Sequence, residues 1–134
     1  MADVLIASDV ASIVAEVKSA LSGPEHEVRV VRAGADVRGQ VEQRVPDLAI
    51  FDLQIGNMGG IAACLDLHLE ESGGRLPHVP VLLMLDREAD VFLAQTSDAE
   101  GWMVKPLDAF RLRKAITALL GGGTYHENQT AGVS

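Results

Sequence analysis

Four apolar residues in unbroken succession, Leu48-Ala49-Ile50-Phe51, run straight into Asp52 and then into the loop Leu53-Gln54-Ile55-Gly56-Asn57-Met58-Gly59-Gly60. A short continuous apolar run, led in here by Pro46-Asp47 and closed by turn residues, is the pattern of a strand buried on both faces. Such a strand needs covering elements above and below it, which directs the chain toward a layered α/β fold. Asp52 then stands at the carboxyl end of the strand, the edge at which open α/β sheets take their ligands. A carboxylate in that place suits a nucleophile or a metal ligand. It also suits a plain cap of the following loop, and the run alone leaves both readings open.

The same grammar recurs along the chain. Val4-Leu5-Ile6-Ala7 ends in Ser8-Asp9, Val81-Leu82-Leu83-Met84-Leu85 ends in Asp86, and Trp102-Met103-Val104 ends in Lys105-Pro106. Val28, Val30 and Val31 mark a further short strand. Between these runs the apolar residues fall at helical spacing. Val10, Ile13, Val14, Val17 and Leu21 form one stripe, and Val37, Val41 and Val45 a second despite Gly39. Ile61, Cys64, Leu65 and Leu69 form a third, Ala89, Phe92 and Leu93 a weaker fourth, and Phe110, Leu112, Ile116 and Leu119 the last. Five strands alternating with five helices imply right-handed crossovers and a doubly wound parallel sheet with two helices on one face and three on the other. One domain is expected over residues 1–121. Residues 122–134, polar and opened by Gly121-Gly122-Gly123, are expected to be a flexible tail.

Composition bears on partners. With a net charge of −8 the chain carries no basic stripe with which to grip a phosphate backbone, so direct nucleic-acid binding is not expected. No segment has the length of a membrane span, and the single cysteine, Cys64, allows no internal disulfide. A cytoplasmic location is therefore expected. The histidines show no ligand spacing with one another or with Cys64, which argues against zinc.

Three strand ends converge if the sheet order is 2-1-3-4-5: Asp9 after the first strand, Asp52 after the third and Lys105 after the fifth. Two carboxylates can hold a magnesium ion whose shell is completed by water and phosphate oxygens. An ammonium group facing them can pair with a transferred phosphoryl group. Together they suit acceptance of that group by a carboxylate. In the order and spacing of these pieces, from Val4–Asp9 through Pro46–Asp52 with Asn57–Gly60, then Pro80–Leu85, to Val104-Lys105-Pro106, residues 3 to 120 resemble a response-regulator receiver domain of the two-component signalling family. The resemblance implies a flavodoxin-like fold with Asp52 as phosphoacceptor. It implies that magnesium is held by Asp9, Asp52 and the backbone carbonyl of Gln54, that Lys105 contacts the phosphoryl oxygens, and that the Lys105-Pro106 bond is cis. Expected partners are a histidine kinase or phosphotransfer protein upstream and an unidentified protein target downstream.

The chain departs from the family pattern at the site itself. Ser8 replaces the first of two adjacent acids, so magnesium binding is expected to be weak. Leu85 replaces the hydroxyl residue that bonds the phosphoryl group, and Asp86 stands where a small residue leaves room for it. Asp86 either repels a phosphoryl group or stands in for the missing acid. Trp102 occupies the position of the aromatic residue that swings inward in the family; with Leu85 beside it, either the ring is fixed or it merely covers the sheet edge. Two functions are therefore carried forward. The first is a stand-alone receiver phosphorylated on Asp52 that signals by docking and is not an enzyme. The alternative is a pseudo-receiver that binds proteins without phosphorylation. A metal-dependent phosphohydrolase ranks below both, because Gln54 stands where that chemistry needs a second aspartate.

Overall fold

In the computed structural model, which describes residues 2–56 and 59–127, the uninterrupted apolar runs lie side by side as parallel strands. The strands are β1 (Ala2–Ala7), β2 (His26–Val31), β3 (Leu48–Asp52), β4 (Val81–Leu85), β5 (Gly101–Val104) and a short β6 (Tyr125–His126), in the order β2-β1-β3-β4-β5-β6. Every residue of β3 and of β4 is buried. Side chains alternate across the sheet with the strand period of two. Val4, Ile6, Leu48, Ile50, Leu82, Met84 and Met103 enter one core layer. Leu5, Ala7, Ala49, Phe51, Val81, Leu83, Leu85 and Trp102 enter the other. The first layer is closed by α1 (Ala11–Ala20) and α5 (Ala109–Leu120), the second by α2 (Val37–Gln43), α3 (Gly60–Ser72) and α4 (Val91–Thr96). The doubly wound arrangement of two helices and three is thus the one expected.

Three sequence expectations are corrected. The sheet has six strands, not five: residues 125–127 return to the free edge of β5, with Tyr125 opposite Gly101 and His126 opposite Trp102. Of the tail expected over residues 122–134, residues 128–134 lie outside the described residues. The second helix stops at Gln43, short of Val45, because Arg44 is already extended two residues before Pro46. Finally, several stripe residues face outward. Leu69 is 65% exposed, Phe92 67% and Phe110 71%, while α3 packs through Ala63, Cys64 and Leu67. Among the described residues no helix is long and apolar enough to cross a membrane.

Burial pushes the Cys64 thiol up to about 12, with the charge of Glu100 adding to the effect, so it packs as a small apolar group. At the opposite edge of the sheet from Asp52, His78 lies between Glu71 (Nδ1 to Oε1, 2.8 Å) and Glu100 (Nε2 to Oε2, 2.8 Å). Glu100 also accepts the Val81 amide at 2.9 Å, so the imidazole ties the end of α3 to the start of β4. The hydrogen bond to Glu71 leads the causes that raise the His78 pKa from 6.5, against partial burial that lowers it. A raised imidazole pKa stabilises the fold fully below its unfolded value, and the contribution is lost as pH rises through the folded value. Thermal unfolding of the wild type against His78→Gln should therefore show a stability advantage below about pH 6.5 that is lost as pH rises through the raised imidazole pKa.

Candidate functional site

The register of the sheet assembles the site. β1 and β3 pair with Ala7 opposite Phe51, so the next residues, Ser8 and Asp52, emerge side by side. β4 and β5 pair with Leu85 opposite Val104, so Asp86 and Lys105 emerge together. Asp52 is wholly buried. Its Oδ2 accepts the Ser8 hydroxyl at 3.0 Å, and its Oδ1 accepts the Lys105 ammonium at 2.7 Å and the Gln54 amide at 3.3 Å. Ser8 Oγ is held in turn by the Val10 amide at 3.1 Å. A charged carboxylate with no exposure is tolerable only when paired and hydrogen-bonded in this way.

Lys105 is shared. Its Nζ also lies 2.7 Å from Asp86 Oδ1, so one ammonium sits between two carboxylates. Burial works against its charge, but the hydrogen bonds and negative charges of Asp52 and Asp86 outweigh that and raise its pKa above the ordinary lysine value. The Lys105-Pro106 peptide is cis, as the resemblance implied.

Asp9 is exposed and does not meet Asp52 through a direct hydrogen bond. Its Oδ2 accepts the Gly56 amide at 3.1 Å and so holds the loop that follows β3. Asn57 and Met58 of that loop lie outside the described residues. The oxygen donors on hand for a cation are the Asp9 and Asp52 carboxylates and the Gln54 carbonyl, hard ligands of the kind magnesium takes. Among the described residues no cluster of three or more acidic, histidine or cysteine side chains could hold a metal ion. In this structure the Asp9 carboxylate is engaged by the Gly56 amide and the Asp52 carboxylate by Ser8, Lys105 and the Gln54 amide. Leu85 is buried in the core layer that also holds Trp102, and it offers the site only its backbone carbonyl, 2.8 Å from the Lys105 amide.

Trp102 is 3% exposed, stacked on His126 with ring centroids 4.0 Å apart, and its Nε1 donates to the Glu127 carbonyl at 2.9 Å. The residues missed from sequence are therefore Ser8 as a donor to Asp52, and His126 and Glu127 as partners of Trp102. A single hydroxyl and a two-residue strand carry no periodicity, so neither leaves a signal in a one-dimensional pattern.

The resemblance is shown by the comparisons with known proteins. The model of the response regulator receiver domain matches residues 4–117, and the chain belongs to that family. Protein PilH of Pseudomonas aeruginosa is 26% identical over 122 residues, which span 91% of this chain and all of PilH. The chain also matches longer regulatory proteins, of which it spans about a quarter; for ZraR of Salmonella typhimurium the share is 26%. Among solved structures, the signal receiver domain of a histidine kinase from Syntrophus aciditrophicus superposes with a TM-score of 0.79 at 25% identity, covering 91% of this chain and 92% of that one. The receiver domain of a sensor histidine kinase from P. aeruginosa, solved with magnesium in its active-site cleft, superposes at 0.77 with 17% identity, over 90% and 98% of the two chains.

Gly60, the first residue of α3, lies directly against the end of β3. A Cβ placed on it would meet the Asp52 carbonyl oxygen at 2.6 Å, a backbone contact that cannot rotate away. Gly60→Ala is expected to destabilise the fold by about 1–3 kcal/mol, as overpacking of a core does. It should also shift the Asp52 and Leu53 amide resonances, and urea unfolding with an amide-shift map checks both.

Proposed function

We propose that this receiver accepts a phosphoryl group on Asp52 from a phosphohistidine of a kinase or phosphotransfer protein. The observation that carries the reading is the fully buried Asp52 carboxylate with the Lys105 ammonium 2.7 Å away at the open edge of the sheet. In the step, an Asp52 oxygen forms a bond to phosphorus as the bond from phosphorus to the donor imidazole nitrogen breaks, and that nitrogen keeps the electron pair. Lys105 pairs with the phosphoryl oxygens as a point charge. Asp9, Asp52 and the Gln54 carbonyl would hold a magnesium ion, and the ion would supply further neutralisation of the incoming charge. The domain then acts by docking to another protein in the cytoplasm, as a signalling module and not as a catalyst.

Asp86 opposes the transfer. Its carboxylate holds Lys105 in the resting site, so an incoming phosphoryl group competes with it for the same ammonium and meets its negative charge. Incubation with acetyl phosphate and magnesium should add one phosphate by intact mass, and Asp52→Asn should abolish the adduct. Asp86→Ala should raise its rate of formation several-fold. No adduct from acetyl phosphate or from any kinase would overturn the reading.

A second reading, a pseudo-receiver whose partner reads a fixed surface, is favoured by Leu85 and by the clamp on Trp102. A hydrogen bond to a charged group contributes roughly 1.5–3 kcal/mol, and Leu85 forgoes it. A complete two-state shift needs about 5.5 kcal/mol, so the missing hydroxyl removes a large share of the drive. Beryllofluoride, as a phosphoryl mimic, should therefore leave the amide shifts of α4, β5 and α5 nearly unchanged in the wild type and move them more in Leu85→Thr. Equally large movement around Trp102 in both proteins would show that switching needs no hydroxyl at residue 85.

A further inference from the structure

The two oxygens of the Asp52 carboxylate are held in unlike ways. Oδ1 faces the Lys105 ammonium, which reaches on to the exposed Asp86, so this oxygen lies on the side of the site open to a phosphodonor. Oδ2 faces Ser8, which is as fully buried as Asp52 itself. A serine hydroxyl has one hydrogen to give and two lone pairs with which to accept. The Val10 amide donates to Ser8 Oγ at 3.1 Å, and the Ser8 amide is fixed on the Val31 carbonyl at 3.1 Å. The hydroxyl hydrogen is thus left for Asp52 Oδ2, 3.0 Å away, its one acceptor among the described residues.

This bond decides which oxygen reacts. Joining phosphorus to Oδ2 would strip a buried hydroxyl of its acceptor, which is costly. Joining it to Oδ1 leaves the Ser8 bond intact and asks only that Lys105 move over to the phosphoryl oxygens. Oδ2 then becomes the carbonyl oxygen of an acyl phosphate. A neutral oxygen accepts a hydrogen bond about half as strongly as a carboxylate does. Ser8 therefore stabilises the free carboxylate more than the phosphorylated one.

We infer that Ser8 is a positioning residue that directs phosphoryl transfer to Asp52 Oδ1 and shortens the life of the acyl phosphate formed there. The inference rests on the reading of Asp52 as phosphoacceptor. In the discharge, a water oxygen bonds to phosphorus as the bond from phosphorus to Oδ1 breaks. Oδ1 keeps the electron pair, the carboxylate is restored, and both water protons leave with the phosphate as dihydrogen phosphate. The transition state is loose, so the charge on Asp52 is by then close to that of a free carboxylate and Ser8 stabilises it almost in full. In the loading step the same looseness means that Asp52 has given up little charge, and Ser8 changes that rate little. The signature is slower discharge without a matching change in loading when the hydroxyl is removed. General loosening of the site would move both rates and would speed discharge.

The test follows the whole protein by intact mass. Wild type, Ser8→Ala and the equal-sized pair Ser8→Thr and Ser8→Val are loaded with acetyl phosphate and magnesium, freed of donor, and followed as the adduct decays. Ser8→Ala should keep its phosphate about three- to tenfold longer than the wild type, with loading rates within about twofold. Ser8→Thr, which retains the hydroxyl, should decay as the wild type does, and Ser8→Val should be slower than Ser8→Thr by the same factor. That pair carries the test should Ser8→Ala fold poorly. Equal decay in wild type and Ser8→Ala, or in Ser8→Thr and Ser8→Val, would overturn the inference and leave Asp52 as phosphoacceptor. The absence of an adduct in the wild type and in all three variants would instead overturn the phosphoacceptor reading, and the inference would fall with it.

Discussion

A carboxylate with no access to water has to be neutralised on the spot, and this single demand shapes the open edge of the molecule. Moving such an ion out of water carries an effective penalty of several kcal/mol even after relaxation. Asp52 meets it with the Lys105 ammonium, the Ser8 hydroxyl and the Gln54 amide, one from each of three different chain segments. Those segments come together only because β1, β3 and β5 are parallel, in register, and end at the same edge. The apolar layers above and below the sheet fix that register, since a slip of one residue would exchange the two faces of every strand. Packing and chemistry are thus coupled through one buried charge.

Asp86 changes the character of that neutralisation. With one cation between two anions, the resting site already contains a negative group on the far side of Lys105. Such a site is more settled in its unmodified state than one in which Lys105 faces Asp52 alone. Leu85, wholly buried, brings no hydroxyl to that edge, and the Trp102 ring is held by its stack on His126 and its bond to the Glu127 carbonyl.

How much of this was legible in the residue order depends on the range of the signal. Leu48–Asp52 and Val81–Leu85 announce themselves because five successive buried residues cannot belong to a surface strand, and the structure buries each of them. Asp52 and Lys105 could be placed because they follow such runs directly, and the cis peptide followed from the family likeness. The outward turn of Leu69 and Phe92 could not be read in the same way. A helix with apolar residues on more than one side does not say which of them the core will take, and in α3 the smaller Ala63 and Cys64 pack against the sheet instead. Ser8 was legible as a missing acid but not as a donor, since donation depends on the exact pairing of β1 with β3. The strand at Tyr125-His126 was hidden altogether: three glycines precede it, and what stabilises it is a set of contacts from Trp102 and Arg111 that lie more than a dozen residues away.

The parallel course of β6 has a mechanical side. His126 ends β6 at the carboxyl ends of the strands, which all run the same way. A pull on Glu127 toward that end would therefore act along β5 and β6. It would load the backbone bonds of Tyr125 and Glu127 and the carboxylate grip of Arg111 together, in shear. A terminal strand pulled across its partner would instead open one bond at a time, like a zipper. Short as it is, β6 is mounted in the direction in which its few bonds share the load, and a pull toward the site edge is the one it resists best.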